Sequence, residues 1–475
     1  MSEIKRNRTS TNFIFYTGYQ VLLYVIPFIV SPFLTRTLRE DSLGLFTFSN
    51  SIITYFVLLA NLGIARYGQR EISRAKANQK EVFWSLYLNH LVFSFLALGI
   101  YSILLFTIFK DQLNVYGICA LYIVSALFDV TWLFYGRENF KLVTAINGIF
   151  AIIKMVLVFL LVRSPEHLWI YQTLYYGAFL GSNIVIFTIA LKFVGRPKID
   201  FHASLKHTVP LLYFSLVTVA VTLYTVFDKT LIGIFLDKTE VAFYEYAEKI
   251  IAIPKMFLLT IGTVLFPKMC SLEAKNDKSK MSQIHIISLF FSIGIGIGAI
   301  FGLIALGKPA TTLYYGENFA KSGEYIVYMS PIILFVTLGD IFRTQFIIPK
   351  KRDTFFLISV SANAVINLIL SFALVDLIGV YGVIIGTVVA ECVGCVAQMI
   401  YCRKYTSFKK IVTYSIVFII FGFAMFGVIS GFDKLLPISG MAKTLTLFGI
   451  GIVFYAILFT LFLHFEKTRK WGSLL

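Results

Sequence analysis

The sequence predicts an all-α integral membrane protein of about 14 transmembrane helices, in two parallel six-helix lobes plus two extra C-terminal helices. Three observations carry this. The 475 residues are 58% hydrophobic and only 14% charged. The apolar residues fall into stretches long enough to span, each about 20 residues. The connections between them are alternately basic and nearly charge-free. No soluble domain fits into what is left, and no ten-residue alternating strands suggest a closed barrel.

The spans are placed in order. Spans 1 to 6 cover 12–35, 43–65, 82–107, 115–136, 141–163 and 168–191. Spans 7 to 12 cover 206–236, 240–267, 283–307, 322–347, 353–376 and 380–401. Spans 13 and 14 cover 411–431 and 443–465. Pro27, Pro32, Pro254 and Pro331 fall inside spans, where proline kinks a helix. Gly294, Gly298 and Gly302 put small residues on one face of span 9, a pattern for close helix packing. The first apolar stretch is too long for a cleavable signal.

The N-terminal tail, every second loop and the C-terminal tail hold 28 of the 42 Lys and Arg. With the border residues Lys141, Arg163, Lys206 and Lys443 counted with their loops, the other loops hold 9, and five lie deeper inside spans: Lys154, Lys229, Lys249, Lys255 and Arg343. Basic loops stay cytoplasmic, so both termini are expected inside. One missed or invented span would reverse every later loop and spoil the alternation. The net charge of +17 therefore reflects membrane borders rather than a nucleic-acid surface. The Asn7-Arg8-Thr9 sequon falls in a tail expected to be cytoplasmic, where it has no meaning.

A short repeat fixes the organisation. Leu38 to Phe46 (LREDSLGLF) aligns with Leu236 to Tyr244 (LDKTEVAFY) at an offset of 198 residues, or six spans. Six is even, so the halves run in the same direction. The expected division is 1–199 for spans 1–6, 200–405 for spans 7–12 and 406–475 for spans 13–14 with the tail.

Polar residues recur at helical steps of 3 and 4 inside spans. Span 1 has Thr17, Gln20, Tyr24 and Ser31; span 2 has Thr47, Asn50, Thr54 and Asn61. Span 5 has Thr144, Asn147 and Lys154; span 7 has Ser215, Thr218, Thr222, Thr225 and Lys229. Span 10 has Thr337, Asp340 and Thr344; span 12 has Thr387, Glu391 and Gln398. Interhelical hydrogen bonding accounts for a single Ser or Thr. The recurrence of whole stripes in both halves points to a hydrated cavity.

A lysine at mid-bilayer costs about 2.5–3.5 kcal/mol, so Lys154 must meet an acid, or water and an anion. Asp129 lies at a similar depth and is one candidate partner. Asp228 precedes Lys229, and Glu248 lies near Lys249, for which Glu245 is an i,i+4 partner. Asp340 stands three residues before Arg343. Glu391 has no evident local partner and is a candidate coupling-ion site or a neutral acid. The five cysteines lie in or beside spans, and Cys392 and Cys395 lack the His partners of a metal site. His90 in span 3 reads as a hydrogen-bonder within the bundle. No cofactor or metal is expected.

The run Asp129 to Phe140 (DVTWLFYGRENF), followed by Lys154, resembles the span 4–5 signature of bacterial polysaccharide repeat-unit flippases. The run Tyr315 to Phe319 (YGENF), then Pro331, Pro349, Asn363, Asn367, Gly379 to Gly382 (GVYG) and Glu391, resembles their second half, as does Leu236 to Tyr244. That family shares a superfamily with multidrug extruders and lipid II flippases. The resemblance implies two six-helix lobes in a V, in the cytoplasmic membrane of a bacterium. It implies translocation of undecaprenyl-diphosphate-linked oligosaccharide from the inner to the outer leaflet by alternating access, for capsule, O-antigen or exopolysaccharide. The carrier lipid would be the partner, with H⁺ or Na⁺ as a coupling ion.

In that reading Lys154, Lys229, Lys249 and Arg343 would meet the anionic diphosphate, with Thr222 and Asn147 among the polar contacts. Asp129, Asp228, Glu248, Asp340 and Glu391 would couple an ion or pair with these cations. A lipid II flippase or a multidrug antiporter is the alternative, although an antiporter for cationic drugs should have a mainly acidic cavity. A membrane polymerase should have a long external loop, and the expected outside loops are short.

Overall fold

A computed structural model describes residues 2–75, 78–196 and 200–467. It divides into two compact units, Met1–Gly233 and Ile234–Leu475.

The first unit opens with α1 (Ser2–Asn61), α2 (Ile64–Arg74), α3 (Gln79–Thr107) and α4 (Leu113–Leu127). It continues with α5 (Thr131–Gly136), α6 (Phe140–Leu161), α7 (Leu168–Val194) and α8 (Phe201–Phe235), which carries on to the edge of the second unit. An unbroken 60-residue helix would be about 90 Å long, three times the hydrocarbon thickness. The helix α1 is broken at Arg39, whose φ of 62° and ψ of 175° are not helical. Spans 1 and 2 fall on either side of that break. The seventh span, α8, packs with the first unit. Asn89 on α3 donates to the Ser204 carbonyl at 2.8 Å, and Thr230 donates to Ser51 at 3.0 Å. A Cβ on Gly233 would lie 2.0 Å from the Phe48 ring. The contact boundary thus falls at 233/234, one helix later than the expected division at 199/200.

The second unit contains α9 (Lys238–Ala274), α10 (Lys278–Tyr315), α11 (Ala320–Met329) and α12 (Ile332–Phe342). After a π-helical turn, Arg343–Ile347, come α13 (Asp353–Ile378), α14 (Val380–Tyr401), α15 (Phe408–Leu435) and α16 (Gly440–Glu466). Asp237 caps α9 by accepting from the Thr239 N–H at 3.2 Å, and Asp277 caps α10 by accepting from the Lys280 N–H at 3.1 Å. The Lys280 N–H holds the Asp277 carboxyl below its ordinary range. Both copies of the short repeat fall where two spans meet, one at the Arg39 break and one at the Asp237 cap.

Eleven helices among the described residues are long and apolar enough to cross a membrane, and a twelfth if the pair bent by 47° around Pro331 is one span. The first of the eleven, Val21–Arg74, takes in most of span 1 and all of span 2, and span 7 falls on α8. The stretches placed from the sequence fall on helical segments, with span 2 crossing the turn at 62–63 and span 4 the break at 128–130. The chain is an all-helical, multi-pass membrane protein.

Small residues set the close approaches. A Cβ on Gly294 would meet the Phe459 ring at 2.5 Å and Phe418 at 2.7 Å, and one on Gly298 would meet Tyr455 at 2.6 Å. The GxxxG face of α10 thus receives aromatic rings from α15 and α16, as its spacing predicts. The Tyr455 hydroxyl donates to the Gly294 carbonyl at 2.6 Å. Gly298→Leu is expected to destabilise the protein by about 1–3 kcal/mol through overpacking. A thermal midpoint in detergent equal to that of the parent would refute this.

Candidate functional site

A cavity of about 290 Å³ lies inside the first unit. One wall is α6, which contributes Asn147 and Lys154. They are seven residues apart, hence on one face and about 10 Å apart along the axis. Opposite elements supply Tyr19 and Asn61 from α1, Tyr122 and Ser125 from α4, and Phe179 and Asn183 from α7. Asp129 and Thr131 complete the lining between α4 and α5. The wall is therefore mixed: aromatic rings and aliphatic side chains such as Leu23 and Val57, with hydroxyls, amides, one cation and one carboxylate.

The broken span makes room for this wall. The end of α4 tightens, with the Asp129 N–H bonded to the Ala126 carbonyl at 2.9 Å. Asp129 Oδ1 then accepts from the Thr131 N–H at 3.0 Å and from the Thr131 hydroxyl at 2.7 Å. Asp129 thus closes an Asx turn immediately before the short helix α5. Asn183 holds α7 to α4 by donating to the Ser125 carbonyl at 3.1 Å and to its hydroxyl at 3.0 Å.

Lys154 Nζ sits 4.7 Å from the centre of the Tyr175 ring and 5.6 Å from that of Phe179. Among the described residues no carboxylate lies within ion-pair distance of it, so the Asp129–Lys154 pair that depth alone suggested does not form. Facing rings stabilise an ammonium by about 0.5–2 kcal/mol without neutralising it. The cation stays available to an anion entering the cavity.

The other candidate cations are arranged differently. Lys249 pairs with Glu245 at 3.3 Å and covers the Tyr246 ring at 4.1 Å. Arg343 is ion-paired with Asp340 and lies 5.5 Å over Phe356. Both local pairs match the sequence spacing. Thr222 and Lys229 lie seven residues apart on α8, half-buried, next to the buried Asp228. Glu248 lies on α9 and Glu391 on α14, both half-buried. The structure thus brings Asn147, Asp129 and Lys154 into one cavity and leaves the other candidates outside it.

Several stripe residues serve their own helices. The hydroxyls of Thr47, Thr54, Thr144 and Thr344 donate to carbonyls four residues back, at 2.8, 2.6, 2.9 and 2.7 Å. The side chains of Thr17, Gln20 and Tyr24 lie outside the described residues, as does that of Asn7 in the sequon. Sequence reasoning missed the ring platform of Tyr175 and Phe179. Its signal was the i, i+4, i+8 spacing of Tyr175, Phe179 and Asn183 on α7. It also missed a buried network in the second unit. There His285 bonds Gln345 and Thr406, both at 2.8 Å, and Gln345 donates to Ser288 at 2.8 Å.

A family model described as polysaccharide biosynthesis protein matches residues 10–273. A protein of Shigella dysenteriae named as an O-antigen transporter is 26% identical over 380 residues, 78% of this chain and 93% of that protein. A protein of Haloferax volcanii named as a low-salt glycan biosynthesis flippase is 23% identical over 244 residues, 50% of this chain and 49% of that protein. The lipid II flippase MurJ, in an inward closed conformation, superposes with a TM-score of 0.72 over 94% of this chain and 98% of its own, at 17% identity. That likeness shows a shared transporter fold.

Proposed function

Because the chain belongs to the polysaccharide biosynthesis protein family, we propose that it is a flippase for lipid-linked oligosaccharide, a transporter rather than an enzyme. The cargo is an undecaprenyl-diphosphate-linked repeat unit, moved from the inner to the outer leaflet of the cytoplasmic membrane by alternating access. The relatives named as an O-antigen transporter and a glycan flippase support this class.

The observation that carries it is the cation at Lys154, set against rings in a cavity of mixed lining with no carboxylate in ion-pair distance among the described residues. A diphosphate supplies the missing anion, and charge-assisted hydrogen bonds to phosphate are strong. The rings of Tyr122 and Phe179, with Asn147 and Asn183 beside them, offer the stacking and hydrogen-bonding surface that a sugar uses. Lys229, Lys249, Arg343 and Thr222 are the further residues from which contacts to the diphosphate would be drawn. Asp228, Glu248, Asp340 and Glu391 are the acids from which a site for H⁺ or Na⁺ would be drawn. The basic connections face the cytoplasm, with both termini inside, and the cargo is loaded from that side.

An antiporter for cationic drugs fits this cavity poorly, since its acid, Asp129, already accepts from the Thr131 N–H and hydroxyl while Lys154 presents a cation. The superposition on a lipid II flippase is a likeness of fold and does not select that cargo. Purified protein in vesicles should move a polyprenyl-diphosphate-linked oligosaccharide between leaflets, read as its accessibility to an external glycosidase. Accessibility that rises no faster than in protein-free vesicles would refute the proposal.

A further inference from the structure

The wall that carries Asp129 and Thr131 exists because α4 stops at Leu127. In an uninterrupted helix the carbonyls of Ala126 and Leu127 would accept from the N–H groups of residues 130 and 131. Here the Thr131 N–H is taken by the Asp129 side chain, and the Ala126 carbonyl is drawn into a tighter turn with the Asp129 N–H. Two side chains from α3, one turn apart, serve these carbonyls. The Tyr87 hydroxyl donates to Leu127 O at 3.0 Å, and His90 Nε2 donates to Ala126 O at 2.6 Å. A carbonyl only accepts, so the His90 hydrogen is on Nε2. Both side chains are buried, at 6% and 2% exposure, so packing on α3 holds the two donors on these carbonyls.

We propose that Tyr87 and His90 are positioning residues for the cavity: they hold span 4 broken and so set Asp129, Thr131 and Tyr135 on the wall shared with Lys154. Neither residue lines the cavity. Without the two donors, Leu127 O loses its side-chain partner and Ala126 O keeps only the tight bond from the Asp129 N–H, so the helical bonds from residues 130 and 131 become the better partners. Span 4 then straightens, α5 rotates about the helix axis, and the wall opposite Lys154 changes shape.

The inference rests on the reading of this cavity as the substrate site, and one set of variants separates the two. The probe is a fluorescent polyprenyl-diphosphate-linked disaccharide flipped by purified protein in vesicles, with the half-saturating concentration measured apart from the maximal rate. Tyr87→Phe removes only a hydroxyl and keeps the ring against Phe83, 5.5 Å away. Tyr87→Phe and His90→Leu should each raise the half-saturating concentration about tenfold. His90→Gln, which keeps a donor at a similar reach, should restore it.

The control is Tyr101→Phe. It deletes the same kind of bond between the same two helices, Tyr101 hydroxyl to Tyr116 carbonyl at 2.6 Å, away from the break. That variant should leave half-saturation unchanged. If Lys154→Ala weakens the probe while Tyr87→Phe and His90→Leu do not, the positioning role falls and the site stands. If Tyr101→Phe matches them, the effect is general loosening and the proposal falls. If Lys154→Ala also leaves half-saturation unchanged, the site falls with it.

Discussion

Exchange of Lys154 and Lys229 for alanine, with the protein still made and inserted, is expected to stop surface polysaccharide and leave lipid-linked repeat units in the inner leaflet. Lys154→Ala alone should account for most of the loss. A hydrogen bond to a charged group contributes about 1.5–3 kcal/mol, which is about tenfold to over a hundredfold in affinity. Lys154 is also the cation in the cavity, and its partners there are the rings of Tyr175 and Phe179. Lys154→Arg should retain part of the activity, because it keeps the charge but places a broader head over the same rings. Immunoblots normalise for protein, and surface polymer with leaflet-resolved lipid-linked intermediate provides the readout. Normal surface polymer in the double variant would sink the role assigned to these lysines.

The second large effect is expected where α2 and α5 meet. A Cβ on Gly68 of α2 would lie 2.7 Å from the Trp132 ring of α5, and one on Gly136 of α5 would lie 2.8 Å from the Gln69 carbonyl of α2. Trp132 is almost fully buried and the Gln69 carbonyl is backbone, so neither yields easily. Gly68→Val with Gly136→Val should force the two helices apart at a cost of several times the thermal energy, about 1–3 kcal/mol for each position. Because α5 carries the Thr131–Tyr135 wall, transport should fall with stability. A double variant with the parent's thermal midpoint and transport rate would contradict this packing.

These cases show which parts were legible beforehand. Spans could be read because one-dimensional hydropathy fixes them and the charge alternation checks their number. The Glu245–Lys249 and Asp340–Arg343 pairs could be read because one helix holds both partners. The Lys154 environment could not. Depth in the membrane placed Asp129 at a similar level, but lateral position depends on how α4, α6 and α7 pack, and that put Tyr175 beside the ammonium instead. The break in span 4 was hidden because 115–136 carries no charge apart from Asp129, and an Asx turn on its carboxylate interrupts the helix with no Pro or Gly at the break. The stripes of threonines were over-read, since Thr47, Thr54 and Thr144 satisfy their hydroxyls on their own backbones.

The junction at Arg39 has a mechanical meaning. The two arms of α1 are joined by a single non-helical residue, with no loop to absorb slack. Any change in the angle between the arms must pass through the torsions of that residue. Its backbone sits in a region that is almost exclusive to glycine, at a cost of about 1–3 kcal/mol for a residue with a side chain. The first two spans are therefore hinged directly on each other, and the angle between them is set by the φ and ψ of Arg39.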